Sequence, residues 1–184
     1  MKIVKALIGS AVLAVAPLAA QADDLSYSYV DLGWVNVNPD GAGSEDGFGL
    51  RGSIGFAENF FGYAEYSNFD VAGTSVDLYT VGLGGHYAVS DNVHLQGRIG
   101  YAKFDAGPID EDGYEVVAGV RGAPAESFEL EGNVYYTDFG GAGGDDTELG
   151  VGARYFFTEN VGLGAEYRFG DDGDTAIVHV RFQF

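Results

Sequence analysis

Cysteine is absent from the 184 residues. That removes disulfides, thiolate nucleophiles and zinc–thiolate sites from consideration. Basic residues are scarce, with 9 Lys and Arg against 28 Asp and Glu. A nucleic-acid partner calls for a basic patch, which this balance does not supply. Proline occurs only 4 times. Beyond the first residues no apolar run approaches the roughly 20 residues that a spanning helix needs, and no stretch combines helical apolar spacing with caps.

What is present begins with an export pattern. Lys2 and Lys5 precede an apolar run from Ala6 to Ala16, then Pro17 and Ala20-Gln21-Ala22. A basic start, a short apolar stretch and an A-x-A site read as a secretory signal peptide over 1–22. Cleavage is expected after Ala22, with Ala20 and Ala22 as its small residues. The remaining 23–184 hold 184 − 22 = 162 residues, one domain, with 7 basic and 28 acidic residues and a formal charge of 7 − 28 = −21.

The last stretch, Thr175 to Phe184, sets the pattern for the rest. Ala176, Val178, Val180, Phe182 and Phe184 alternate with Thr175, Ile177, His179, Arg181 and Gln183. Side chains of a strand point to opposite faces with period 2, so this is a strand with one oily and one polar face. The same alternation predicts strands over about 26–37, 47–57, 60–69, 75–89, 93–104, 113–123, 127–138, 147–157 and 161–169. Most are as long as a tilted strand that crosses a bilayer, roughly 9–11 residues.

Two kinds of connection alternate. One kind is short and repeats: Glu58, Asp91, Glu126 and Glu159 recur at spacings of 33, 35 and 33 residues. Their Asp, Asn and Ser neighbours suit tight turns. The other kind is longer and acidic, over 38–46, 70–74, 105–112, 140–146 and 170–174. The expected fold is therefore all-β: a closed antiparallel transmembrane β-barrel of ten strands, with eight as the alternative. Its short turns would be periplasmic and its longer acidic loops extracellular. A soluble ten-stranded barrel is the competing reading, but its outer face should be polar.

Registering each strand on its aliphatic residues tests this. Leu50, Ile54, Leu83, Ile99, Leu130, Val151 and Leu163 then face outward with their period-2 neighbours. Arg51, Arg98, Arg121, Arg154, Arg168 and Arg181 all face inward, as do His86, His94 and His179. So do Asp31, Glu65, Glu115, Glu129, Glu131, Glu148 and Glu166. An oily outside around a charged inside is favourable only in lipid. Aromatics fall in two tiers, Trp34, Phe48, Tyr101 and Tyr167 near the loop ends and Phe56, Phe60, Phe128 and Phe184 near the turn ends. Interfacial belts have that arrangement.

With the A-x-A site, the repeated turns and the terminal Val178, Val180, Phe182 and Phe184, the chain resembles the small outer-membrane β-barrel proteins of the OmpA-domain-like, OmpX-like and opacity type. The start Leu25-Ser26-Tyr27-Ser28-Tyr29-Val30 is also similar to small barrels regulated by diffusible signal factor. The resemblance implies that Val178, Val180, Phe182 and Phe184 form the signal read by the barrel-assembly machinery. It also implies outer-membrane lipid and lipopolysaccharide as partners. The ten strands depart from the eight-stranded members.

Three kinds of chemistry are weighed on these residues. The inward charges either neutralise one another and fill the lumen or line a narrow path for small solutes. Wide solute channels begin at about 16 strands, which favours filling. Inward glycines such as Gly84 and Gly164 are expected to make room for long side chains. The loop acids, among them Asp46, Asp110, Asp112, Asp146, Asp171 and Asp172, either hold a dedicated divalent cation or form a solvated rim with loosely bound cations. The rim is the expectation, with no metal or cofactor site. Ten-stranded outer-membrane proteases use acids and a His at the outer end. Here His86 and His94 lie toward the turns and His179 near mid-strand, so no catalytic residue is assigned. The expected role is a structural, surface-interaction or adhesion barrel, with a narrow pore as the alternative and a surface hydrolase third.

Overall fold

A computed structural model of the chain describes residues 25–41, 43–71, 73–140 and 144–184. The expected signal peptide, with Ala20 and Ala22, lies outside the described residues. Ten strands follow one another: β1 Tyr29–Pro39, β2 Glu45–Ala57, β3 Phe60–Val71, β4 Thr74–Ser90, β5 Val93–Ala106, β6 Ile109–Ala125, β7 Phe128–Asp138, β8 Asp145–Phe156, β9 Val161–Phe169 and β10 Gly173–Gln183. Each pairs antiparallel with its sequence neighbours, and β1 pairs with β10 to close the barrel. Ten strands, not the alternative eight, make the wall.

The two faces follow from the pleat. Leu32, Ile54, Val81, Leu83, Ile99 and Phe182 all stand more than half exposed on the outside. Arg121, Arg154, Arg181, Glu129 and Glu166 are buried inside. Exposing so much apolar surface to water would be very unfavourable, and burying so many charges is tolerable only with partners. The arrangement suits a lipid exterior. Trp34, Phe48, Tyr79, Tyr101 and Tyr114 mark one rim, Phe56, Phe60, Tyr87, Phe157 and Phe184 the other.

The wall is uneven in height. β4 and β6 are 17 residues long and β5 is 14. At about 3.3 Å per residue, 17 residues extend roughly 56 Å, well beyond an apolar band about 25 Å tall even when tilted. The extra length is polar on its outward face, where Asp77, Lys103, Asp110 and Asp112 follow Tyr79, Tyr101 and Tyr114. Three tyrosine hydroxyls at this rim donate to acids just above them: Tyr66 to Asp77 at 2.6 Å, Tyr167 to Asp174 at 3.0 Å, and Tyr101 to Asp112. Lys103 pairs with Asp110 at 2.9 Å. Here the structure revises two of the expected long loops. The stretches 70–74 and 105–112 are mostly strand, turned by Gly73 and Gly107 at φ +82 and +65. The left-handed backbone available to glycine permits the tight reversal, and the hairpins stand up as ribbons.

The beginning of the chain departs from expectation as well. Pairing with β10 begins at Tyr29 rather than near Ser26. Leu25 and Tyr27 turn inward and are buried with Phe61, Tyr63 and Ala123. Ser53 Oγ donates to the Tyr27 carbonyl at 2.7 Å and Arg121 donates to the Ser26 carbonyl at 2.8 Å. Residues 25–28 thus close the turn end of the barrel from within.

Candidate functional site

The lumen is the place where chemistry-bearing side chains converge, and it has two storeys. The lower, toward the short turns, begins with a stack of rings. Tyr27 lies 4.0 Å from His86 and 4.8 Å from Phe61, and His86 lies 4.9 Å from His94. Gly84 leaves the space that the Phe61 ring fills, since a Cβ there would overlap it. Above the stack, Arg121 donates three hydrogen bonds to Glu129, and Arg154 reaches the same carboxylate at 2.5 Å. Arg154 also approaches Glu131 at 3.6 Å and donates to His179 Nε2 at 3.3 Å. Gly164 admits the His179 ring, whose Nε2 would lie 2.5 Å from an added Cβ.

Asp31 completes the lower storey. Its neighbours in register are Arg181 on β10 and Arg51 on β2. Arg181 takes it as a fork, with both bonds at 2.7 Å, and lies 3.4 Å over the Tyr29 ring. At 1% exposure Arg181 is among the most buried side chains described. Three arginines meet three acids here, and the charges balance.

The upper storey opens toward the long strands. Arg51 and Arg98 share Glu65 at 3.2 and 2.6 Å. Arg51 and Arg168 share Glu166 at 3.3 and 2.7 Å, and Tyr135 donates to the same carboxylate at 2.8 Å. Glu148 stands 3.8 Å from Arg168. Glu115 receives the Tyr63 hydroxyl at 3.3 Å, and no ion pair reaches it among the described residues. Three arginines therefore face four acids. Two adjoining cavities of about 170 and 220 Å³ open this storey, the first reaching down to Asp31 and His179, whereas the space between Arg51 and Arg98 above and Arg121 and Arg181 below is about 20 Å³.

Of the residues singled out in the sequence, Asp31, Glu129, Glu131, Arg121, Arg154, His179 and Arg181 meet in the lower storey. Arg51, Glu65, Arg98, Glu115, Glu148, Glu166 and Arg168 meet in the upper. Val178, Val180, Phe182 and Phe184 line the outside of the seam strand. The loop acids do not converge. Among the described residues no group of three or more His, Asp or Glu side chains is placed to hold a metal ion. Sequence reasoning put Tyr27 on the face of Asp31 without giving it a role, and missed Tyr63 and Tyr135 in the lumen. Their period-2 phase with Asp31, Glu65 and Glu131 was the available signal.

Residues 6–182 match the outer membrane protein beta-barrel domain family. The chain belongs to that family. As an outer-membrane β-barrel it shares its fold with the KdgM porin, at 13% identity and a TM-score of 0.51, over 85% of this chain and 99% of that one. An outer membrane channel from Pseudomonas putida F1 is similar at 8% identity and a TM-score of 0.57, over 89% and 98%. At such identities the likeness speaks to the fold alone. A comparison with curated proteins gives no match.

Proposed function

We propose that this outer-membrane barrel is a non-enzymatic envelope protein with a lumen closed to solutes, acting through its membrane-embedded wall and its acidic outer rim. The observation that carries this is the filled lower storey. Asp31–Arg181 and Arg121–Glu129–Arg154 span it, and the space above them, about 20 Å³, is close to what a single water needs. The stacked Tyr27, His86 and His94 cap it below. His86 and His94 belong to that cap and His179 bonds to Arg154, which leaves no histidine among the outer acids to act as a base and argues against a hydrolase.

Purified protein in planar bilayers is expected to give no conductance steps. Reproducible steps would overturn the closed-lumen reading in favour of a narrow pore. That second reading draws on the neighbours, one a porin and one a channel. The KdgM porin has also been solved with disordered oligogalacturonate. The carboxylate excess of the upper storey here disfavours such an anionic chain.

Export through the 1–22 leader, recognition of Val178, Val180, Phe182 and Phe184 by the barrel-assembly machinery, and contact with lipopolysaccharide belong to the same reading. Divalent cations bind loosely between the rim acids and lipid phosphates. What supports the assembly signal is its placement: the four side chains stand exposed on the outer face of the strand that closes the barrel. Replacing Phe184 with Asp should lower outer-membrane insertion in cells while leaving refolding in detergent intact. Unchanged insertion would sink the assembly role.

A further inference from the structure

We infer that the upper storey is a binding site for a small organic cation, an amine carried on an apolar body. The cavity of about 220 Å³ lies under the raised β3–β4 and β5–β6 hairpins. Leu78, Ala102 and Phe139 give it apolar walls, Thr80 and Thr137 offer hydroxyls, and Glu115 and Glu148 face into it. Its size is below the 300–1,000 Å³ typical of pockets for drug-sized ligands, so the occupant is small.

Charge selects its sign. Glu115 is only 6% exposed, yet its single protein partner in the structure is the Tyr63 hydroxyl on Oε1. Its Oε2 accepts no hydrogen bond and meets no ion pair among the described residues. A buried carboxylate left without a counter-charge is costly, and a cation brought by a ligand removes that cost. Arg98 and Arg168, the nearest cations, make no ion pair with it: each pairs with another acid, Glu65 at 2.6 Å and Glu166 at 2.7 Å, although Arg98 keeps its Nε without a partner and Arg168 lines the cavity, so three arginines still face four acids. Glu148 has one distant partner, Arg168 at 3.8 Å, and Asp146 lines the same cavity above it. The acidic rim raises the local concentration of cations at the mouth. The apolar walls then favour an organic cation over a hydrated metal ion, for which the described residues offer no three-ligand cluster.

The inference goes beyond a closed lumen and stands whether or not the barrel conducts, because binding is read in micelles and conduction in bilayers. The probes are 2-phenylethylammonium, the neutral 2-phenylethanol and the anionic phenylacetate, titrated by calorimetry into the refolded chain in a zwitterionic detergent. The ammonium should bind saturably at one site, the alcohol at least about tenfold more weakly, and the anion not at all. Glu115→Gln should weaken the ammonium by about tenfold or more. Thr137→Leu keeps every charge and fills the cavity, so it should abolish binding. Both variants are checked for folding by faster migration on unboiled gels. Equal binding of alcohol and ammonium, wild-type affinity in Glu115→Gln, or no saturable binding of the ammonium would each overturn the inference.

Discussion

The two storeys of the lumen are made from the same residue types and differ in one carboxylate. Below, three arginines meet three acids, every one of them in an ion pair of 2.5 to 3.6 Å, and the space above Arg121 and Arg181 is about 20 Å³. Above, three arginines meet four acids, and cavities of about 170 and 220 Å³ stay open. Charge balance and packing density go together here. A matched set of forks can be drawn tight and sealed from water, whereas an unmatched acid needs space for water or a counter-ion. On the two readings proposed above, one storey is a stopper and the other a receptacle.

Breaking the lower storey should cost most. Arg181→Leu leaves Asp31 sealed without its fork, and a loss of about 3–5 kcal/mol is expected. Urea unfolding in lipid vesicles, followed by the fluorescence of the single tryptophan, Trp34, would measure it. Adding Asp31→Leu should restore most of the loss, since an apolar pair of similar volume is often as stable as a buried ion pair. If the double variant stays as unstable as the single one, the stopper is held by shape rather than by paired charge.

An upper-storey break should be milder. Arg98→Leu leaves Glu65 with Arg51 at 3.2 Å and beside an open cavity, so about 1–3 kcal/mol is expected in the same assay. A cost equal to that of Arg181→Leu would erase the distinction between the storeys. Smaller still, Glu115→Gln removes the unmatched charge and should leave stability within about 1 kcal/mol of the parent or raise it. A large loss would mean that Glu115 is a structural partner after all. At the rim, Tyr101→Phe removes one exposed hydrogen bond to Asp112 and should shift stability by under about 1 kcal/mol. A larger effect would make the tyrosine belt a structural ring rather than an interfacial one.

Much of this was legible in the chain. Period-2 alternation yields ten strands, and the aliphatic phase sends all six arginines inward, because both depend only on neighbours along one strand. Register is less so: Asp31 lies between Arg51 and Arg181, but one pairing is set across the long β1–β2 connection and the other at the closing seam, neither of them a repeated turn. What stayed hidden depends on the barrel's tilt and stagger. In register Arg121 faces Glu131, yet it bonds Glu129. Glu115 looks like any other inward acid until its distance from the arginines is known. Residues 25–28 continue the alternation of β1 in sequence, but they turn in to cover the stack of Tyr27, His86 and His94. No local pattern distinguishes a strand that pairs from one that folds under. The acidic stretches 70–74 and 105–112 looked like loops because the raised ribbons carry acids on their outward face and few apolar residues at their tips, although Val76 and Ala106 are buried inside them.

The Asp31–Arg181 fork joins residues 150 positions apart. It can exist only after the last strand has found the first, since one partner lies on each side of the seam. A slip of one residue would turn Arg181 toward lipid, at a cost of about 2–4 kcal/mol near the midplane. The fork is therefore satisfied only when the seam closes in register. A barrel that stops at nine strands, or closes out of step, is left with a stranded arginine and a stranded aspartate, and the correctly finished barrel is the state in which both are satisfied.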